Sequence, residues 1–269
     1  MPDPDFRENV VIVTGASSGI GREIALHLAE QGAWLVLAAR RADRLEAVAA
    51  ACRERGGLAL VVPTDVSQQE QCQALIAHTI QEYGRLDTLI NNAGRTMWSP
   101  LEDLQSLQPM EDVMRVNYFG SLYCTYYALP HLKLTQGRIV AVSSLAGKSG
   151  IPDRSGYAAS KHAVTGFFDS LRIELAETGV TVTVVYPDYV ATETRQRAYG
   201  PDGTPLGQSP IREEAAMSAE TCARQVIQAA ARREREEIMS LRGKIGLWVK
   251  LIAPGLIDRI ALKATRGRR

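Results

Sequence analysis

Cysteine is scarce in this chain of 269 residues, and the four present, Cys52, Cys72, Cys124 and Cys222, form no CxxC pair. That scatter argues against a disulfide framework and against a zinc site, and it fits a reducing compartment. No His/Cys/Asp cluster offers a metal site either, so none is expected. Long apolar runs are missing as well: no stretch approaches the ~20 residues that cross a bilayer. The first residues, "MPDPDFREN", are polar and acidic and carry no apolar signal region. A cytoplasmic protein is therefore expected. An excess of one charge is also absent. A formal net charge of +1 creates no global field that would recruit nucleic acid.

What the chain does have is a set of short apolar runs rich in Val, Ile and Leu: Val10–Thr14, Trp34–Ala39, Leu58–Val62, Leu86–Asn91, Arg138–Ser143, Val180–Tyr186 and Glu237–Leu241. Most lack polar alternation, which suits strands buried on both faces of a parallel sheet. Between them lie helical patterns at Gly19–Gln31, Asp43–Arg55, Ser67–Tyr83, Pro109–Leu134, Gly156–Glu177 and Ala219–Arg233. Strands and helices that interleave in this way predict an α/β fold. It is a Rossmann-like, doubly wound, seven-stranded parallel sheet with helices on both faces. No repeat, low-complexity tract or linker divides the chain, so one domain over 1–269 is expected. The longest irregular piece, Glu193–Met217, follows a predicted strand end, where such sheets bind ligands. It is read as a substrate lid.

"VVIVTGASSGIGREIA" is strand, turn and helix. Gly15, Gly19 and Gly21, with Ser17, Ser18 and Ile20 among them, form the candidate cofactor turn. Its glycines let the backbone approach a pyrophosphate at the helix N-terminus. The second strand ends "LAARRADR". Sites for NAD place an acid there to hold the ribose 2′-hydroxyl, and sites for NADP place a cation for the 2′-phosphate. Ala39 stands in the acid's place and Arg40 and Arg41 follow. The arginine fork suits phosphate, and cations at a helix start oppose its dipole. NADP(H) is the expected cofactor.

In "GYAASKHAV", Tyr157 and Lys161 share one helix face at i,i+4 spacing. A free phenol titrates near ~10, too high for efficient proton exchange at neutral pH. A neighbouring cation lowers that value, so the pair suits proton transfer to a carbonyl oxygen.

These stretches together resemble the single-domain, NADP-preferring branch of the short-chain dehydrogenase/reductase superfamily. The matching pieces are "TGASSGIG", "TDV", "NNAG", Asn117 in "RVNYFG", "SSLAG" and "YAASK", in family order from Asn9 to Leu241. The resemblance implies that Asp65 and Val66 border the adenine. It places Asn92, Ala93 and Gly94 along the adenosine side, and it puts Val190 and Thr192 near the carboxamide and phosphates. It implies a catalytic set of Asn117, Ser144, Tyr157 and Lys161. Ser144 would bond the substrate oxygen, and Asn117 would reach Lys161 through water. It further implies homodimers or homotetramers built on Pro109–Leu134 and Gly156–Glu177.

One departure stands out. After the sixth strand the family reads Pro-Gly, whereas this chain has Pro187-Asp188. Two readings of Asp188 remain open: it turns to solvent or caps its own turn, or it narrows or polarises the pocket beside the nicotinamide. Leu145, Tyr189, Trp98 and Tyr199 are candidate pocket residues beside Ser144, Tyr157 and Asp188, which suggests a partly apolar substrate.

Beyond Leu241 the tail mixes apolar residues with Lys244, Lys250, Arg259, Lys263, Arg266, Arg268 and Arg269, against one acid, Asp258. Pro254-Gly255 interrupts it. It either packs over the pocket or a subunit partner, or meets anionic lipid as a peripheral contact. The expected activity is NADP(H)-dependent oxidation and reduction of a lipophilic carbonyl or secondary alcohol. A 3-oxoacyl thioester reductase and a non-catalytic NADP-binding scaffold are the alternatives.

Overall fold

A computed structural model describes residues 6–209 and 216–266. Seven parallel strands form the central sheet: β1 (Val10–Thr14), β2 (Trp34–Ala39), β3 (Leu58–Pro63), β4 (Thr88–Asn91), β5 (Arg138–Val142), β6 (Thr181–Tyr186) and β9 (Glu236–Ile238). Their order is β3-β2-β1-β4-β5-β6-β9. The chain winds outward from β1 to β3 and then returns to the other side of β1. The crevice between β1 and β4 is therefore the switch point at which such sheets take ligands.

β1 shows why its sequence reads as an unbroken apolar run. Val11 and Val13 pack into the layer formed by α1 (Gly19–Glu30), α2 (Ala42–Glu54) and α7 (Ala219–Ala231). Val10 and Ile12 pack into the opposite layer of α3 (Gln69–Tyr83), α5 (Gly120–Thr135) and α6 (Ser155–Glu174). Burying each such side chain contributes roughly 1.5–3 kcal/mol. Both layers hold the strand ends rigidly beneath the loops that build the site.

Three segments differ from the sequence reading. The helix expected over Pro109–Leu134 is α4 (Gln108–Met114), a π-helical turn at Arg115–Phe119, and then α5. The last strand is short, because Ser240 accepts a hydrogen bond from Gly243 N and starts α8 (Leu241–Ile252). The tail continues as α9 (Pro254–Arg266), and Pro254 begins this helix instead of ending the helical structure. Of the expected lid, 210–215 lies outside the described residues, as do 267–269 of the tail. The two ends of the lid are stitched together: β7 (Val190–Ala191) pairs in parallel with β8 (Met217–Ser218). Among the described residues no helix is long and apolar enough to cross a membrane.

Candidate functional site

A cavity of about 600 Å³ opens at the C-terminal ends of the strands. Its floor is the join between β1 and β4. Asn92 N and Ala93 N each donate to Thr14 Oγ1 at 3.0 Å, and Asn92 Nδ2 donates to Thr14 O at 2.9 Å. The glycines of the turn are required by this closeness. Gly15 has φ +69°, and a Cβ on Gly21 would lie 2.5 Å from Asn92 Nδ2 and from Gly15 O. Ser17, Ser18 and Ile20 line the cavity with Gly15, whereas Gly21 lets the turn close and Gly19 leaves room for Thr192. Such a cradle, empty of side chains and open at a helix start, fits a dinucleotide pyrophosphate.

At one end lie Arg40, Arg41, Asp65 and Val66. Arg41 donates to Ser17 Oγ at 3.4 Å. Burial lowers its pKa, and Arg197 and Arg44 lower it further against the opposing pull of Glu193 and Asp43. Arg197 and Arg44 both pair with Glu193 of the lid segment. This cluster was invisible in the sequence, because Arg44 and Glu193 lie 149 residues apart. It concentrates cationic charge where a 2′-phosphate would sit.

At the other end β5 runs into Ser144, and α6 carries Tyr157 and Lys161; all three line the cavity. Ser144 Oγ accepts from Ala146 N at 3.2 Å, which fixes the hydroxyl at the strand end. Lys161 is buried at 5% exposure and donates to Val142 O at 2.8 Å. Its Nζ lies 5.9 Å from the Tyr157 ring centroid. Burial pushes the Tyr157 phenol up, but Lys161 foremost, then Arg154 and a hydrogen bond from Ser144, bring it below its ordinary value. Burial lowers the Lys161 pKa, the phenol opposes this, and Arg154 adds to it. Asn92, Ala93, Gly94, Val190 and Thr192 line the stretch between the two ends.

Asn117 lies on the Lys161 side of the site: a Cβ on Gly94 would lie 3.4 Å from its Oδ1 and 3.8 Å from Lys161 Nζ. It sits in the π-helical turn and does not line the cavity. Its Oδ1 accepts from Arg95 N at 2.7 Å, and its Nδ2 donates to Arg95 O at 3.0 Å and Ser160 Oγ at 2.9 Å. The side chain is thus spent on bracing the loop after β4 and α6 behind the site. Trp98 and Tyr199 do not line the cavity either. Trp98 stacks under Arg154 and Tyr199 under Arg95.

Leu145, Asp188 and Tyr189 do line it. Asp188 neither turns to solvent nor caps its own turn; it lines the cavity and is paired there. Its Oδ2 accepts from Ser240 Oγ at 3.0 Å and from Arg242 Nε at 3.2 Å and Nη2 at 2.7 Å. The carboxylate therefore anchors the N-terminus of α8. From there Gly246 and Leu247 of α8 and Ile257, Ile260 and Ala261 of α9 close the cavity. Asp188→Gly is expected to free this anchor. The variant should show faster tryptic cleavage at Lys244 and Lys250 and a severalfold higher KM for an apolar substrate, with cofactor affinity unchanged.

The four cysteines are buried. Burial raises Cys52 to about 11 and Cys222 to about 12, so neither is a nucleophile at neutral pH.

Residues 9–201 match the short chain dehydrogenase family model. An Arabidopsis thaliana 11-beta-hydroxysteroid dehydrogenase-like 4A is 39% identical over 249 residues, covering 92% of this chain and 82% of that protein. Its like-3 relative is 45% identical over 185 residues, covering 68% of this chain but only 60% of the relative's own length. Among solved structures, a Burkholderia phymatum short chain dehydrogenase/reductase in complex with NAD superposes with a TM-score of 0.83 at 25% identity. That match covers 94% of this chain and 96% of the other. A Thermococcus sibiricus alcohol dehydrogenase complexed with 5-hydroxy-NADP gives 0.73 at 27% identity, covering 87% and 95%.

Proposed function

Because this chain belongs to the short-chain dehydrogenase family, we propose that it oxidises and reduces a lipophilic secondary alcohol and its ketone with NADP(H). The observation that carries this reading is a single cavity that holds Ser144, Tyr157 and Lys161 at one end and Arg41 at the other. When bound, the cofactor supplies or accepts the hydride. Gly15, Ser17, Ser18 and Ile20 hold its pyrophosphate, and Arg40 and Arg41 hold the 2′-phosphate. Asp65 and Val66 border the adenine.

The remaining chemistry belongs to side chains of this chain. Ser144 donates to the substrate oxygen as negative charge grows there. Tyr157 gives that oxygen a proton in reduction and takes it back in oxidation. Lys161 keeps the phenolate accessible and also holds the ribose. Asn117 acts from behind by fixing the loop and helix that carry the other three. Phenolate is the competent base and its pKa lies below the ordinary phenol value. Oxidation therefore rises with pH through that value while reduction falls.

Leu145, Ile151, Leu247, Ile257 and Ile260 give the cavity an apolar wall. That wall, and the hydroxysteroid dehydrogenase-like names of the relatives, support a bulky apolar substrate such as a hydroxysteroid. The test is a panel of hydroxysteroids, small ketones and 3-oxoacyl thioesters run with NADPH and NADH. Turnover is expected on the first group with NADPH. Preference for the thioesters would select the reductase alternative, and no turnover on any would select the scaffold.

Self-association into a homodimer or homotetramer would use the exposed Phe119 at the end of the π-helical turn, Tyr126 of α5 and Ile173 of α6. The outer face of α8, where Ile245, Trp248 and Leu251 are exposed beside basic residues, is a second candidate contact, for anionic lipid. Loss of that face's effect on vesicle co-sedimentation in a Trp248→Ser variant tells the lipid contact from packing within the chain.

A further inference from the structure

Three side chains follow one another at the start of α6: Arg154 at its N-terminal cap, then Tyr157 and Lys161 on one face of the helix, spaced three and four residues apart. Lys161 accompanies the tyrosine in the family motif. Arg154 is the third member, and the functional reading above gives it no task. Its guanidinium carbon sits 4.2 Å from the Tyr157 ring centroid and 5.0 Å from that of Trp98. Nη2 donates to Thr96 Oγ1 at 2.8 Å. Nε is buried and has no hydrogen-bond partner among the described residues. Arg154 also lines the cavity. It is thus held by a hydroxyl and an indole with one face presented to the proposed proton donor.

We propose that Arg154 is a positioning residue of the reaction, holding the Tyr157 ring in place and favouring the phenolate over the phenol. This rests on the reading of Tyr157 as the proton donor and acceptor. A cation over an aromatic face is drawn to its electrons, and the attraction grows when the ring carries a full negative charge. Arg154 is among the causes that bring the Tyr157 pKa below its ordinary value.

A purely structural role predicts something different. Arg154 is the residue at the N-terminal cap of α6, and its side chain accepts no bond there. A cation at a helix N-terminus opposes the dipole, so it weakens the helix. Removing the charge on that ground would be neutral or stabilising.

The charged groups around Tyr157 can be named. α6 supplies Arg154 and Lys161, and Asp153 precedes Arg154 in the chain. Across the cavity Asp188 is engaged by Arg242. Arg95, on the loop after β4, is engaged by Tyr199. Arg154 and Lys161 are the two that bear on the phenol.

The experiment is the pH profile of kcat/KM for alcohol oxidation in Arg154→Gln, Arg154→Lys and Thr96→Val, with Tyr157→Phe alongside. NADPH fluorescence titration and thermal unfolding accompany each variant. In Arg154→Gln the rising limb should move to higher pH, with oxidation below the midpoint falling about tenfold. Arg154→Lys should return the limb towards the parent, because it restores the charge. Thr96→Val, which loses the anchoring hydroxyl, should lie between. Cofactor affinity should be unchanged throughout. A limb in Arg154→Gln that coincides with the parent would overturn the proposal. So would a shift in Arg154→Lys as large as in Arg154→Gln. Should Arg154→Gln fail to fold, an unshifted Thr96→Val would count against it in the same way. If Tyr157→Phe keeps turning over, the tyrosine reading itself falls, which is a separate outcome from an unshifted limb.

Discussion

Replacing Tyr157 with phenylalanine should cut turnover by about 10²- to 10⁴-fold, the range over which a positioned proton donor contributes. NADPH should still bind, because the glycine turn, Arg41 and Lys161 are untouched. The ring survives in the variant, so its stacking under Arg154 survives too. What disappears is the single hydroxyl proposed to exchange a proton with the substrate oxygen. Steady-state kinetics and a fluorescence titration with NADPH check both halves. Ketone reduction within tenfold of the parent would exclude Tyr157 as the donor, whatever the titration shows.

The second large effect concerns the other end of the cavity. A hydrogen bond to a charged group contributes roughly 1.5–3 kcal/mol. Loss of two such arginine contacts in Arg40→Ala/Arg41→Ala should weaken NADPH binding by about 10²-fold or more. NADH binding should change little, because it carries no 2′-phosphate. Adding Ala39→Asp restores an acid for the ribose hydroxyl and should turn the preference towards NADH. Dissociation constants for both cofactors measure this directly. Equal losses for NADPH and NADH would mean that the arginines serve the fold and not the phosphate. The crowding of Arg44 and Arg197 around Glu193 beside Arg41 predicts that salt reduces NADPH affinity more than NADH affinity.

Elements whose signal is local were readable from the chain. Val10, Val11, Ile12 and Val13 of β1 face the two helical layers in turn, so "VVIV" had to be apolar, and polar Thr14 follows only where the strand reaches the site. The 3- and 4-residue spacings on α6 and the glycine turn were legible for the same reason. Contacts between distant segments were not. Asp188 reads as a turn residue until α8 is folded against it, because Ser240 and Arg242 lie over fifty residues on. Trp98 and Tyr199 read as pocket aromatics, but arginines from other segments cover them. The partners of Asn117 could not be read either: its amide bonds the backbone of Arg95 and the Ser160 hydroxyl. Arg154 was within reach, one helical turn before Tyr157, and only the stack of Trp98, guanidinium and phenol gives that spacing a meaning.

The pairing of β7 with β8 has a consequence for how such a chain can be re-engineered. Val190 meets Met217 and Ala191 meets Ser218, so the two ends of the excursion are held together, and Tyr199 ties its middle to Thr96 and Trp98 of the loop after β4. For a loop closed in this way, each doubling of length costs only about 0.6 kcal/mol. Residues added after Gly207 should therefore lengthen the excursion at small cost, while the bonds of Tyr199 to Thr96 and Trp98 and the Arg44–Glu193 pair keep its first half against the body.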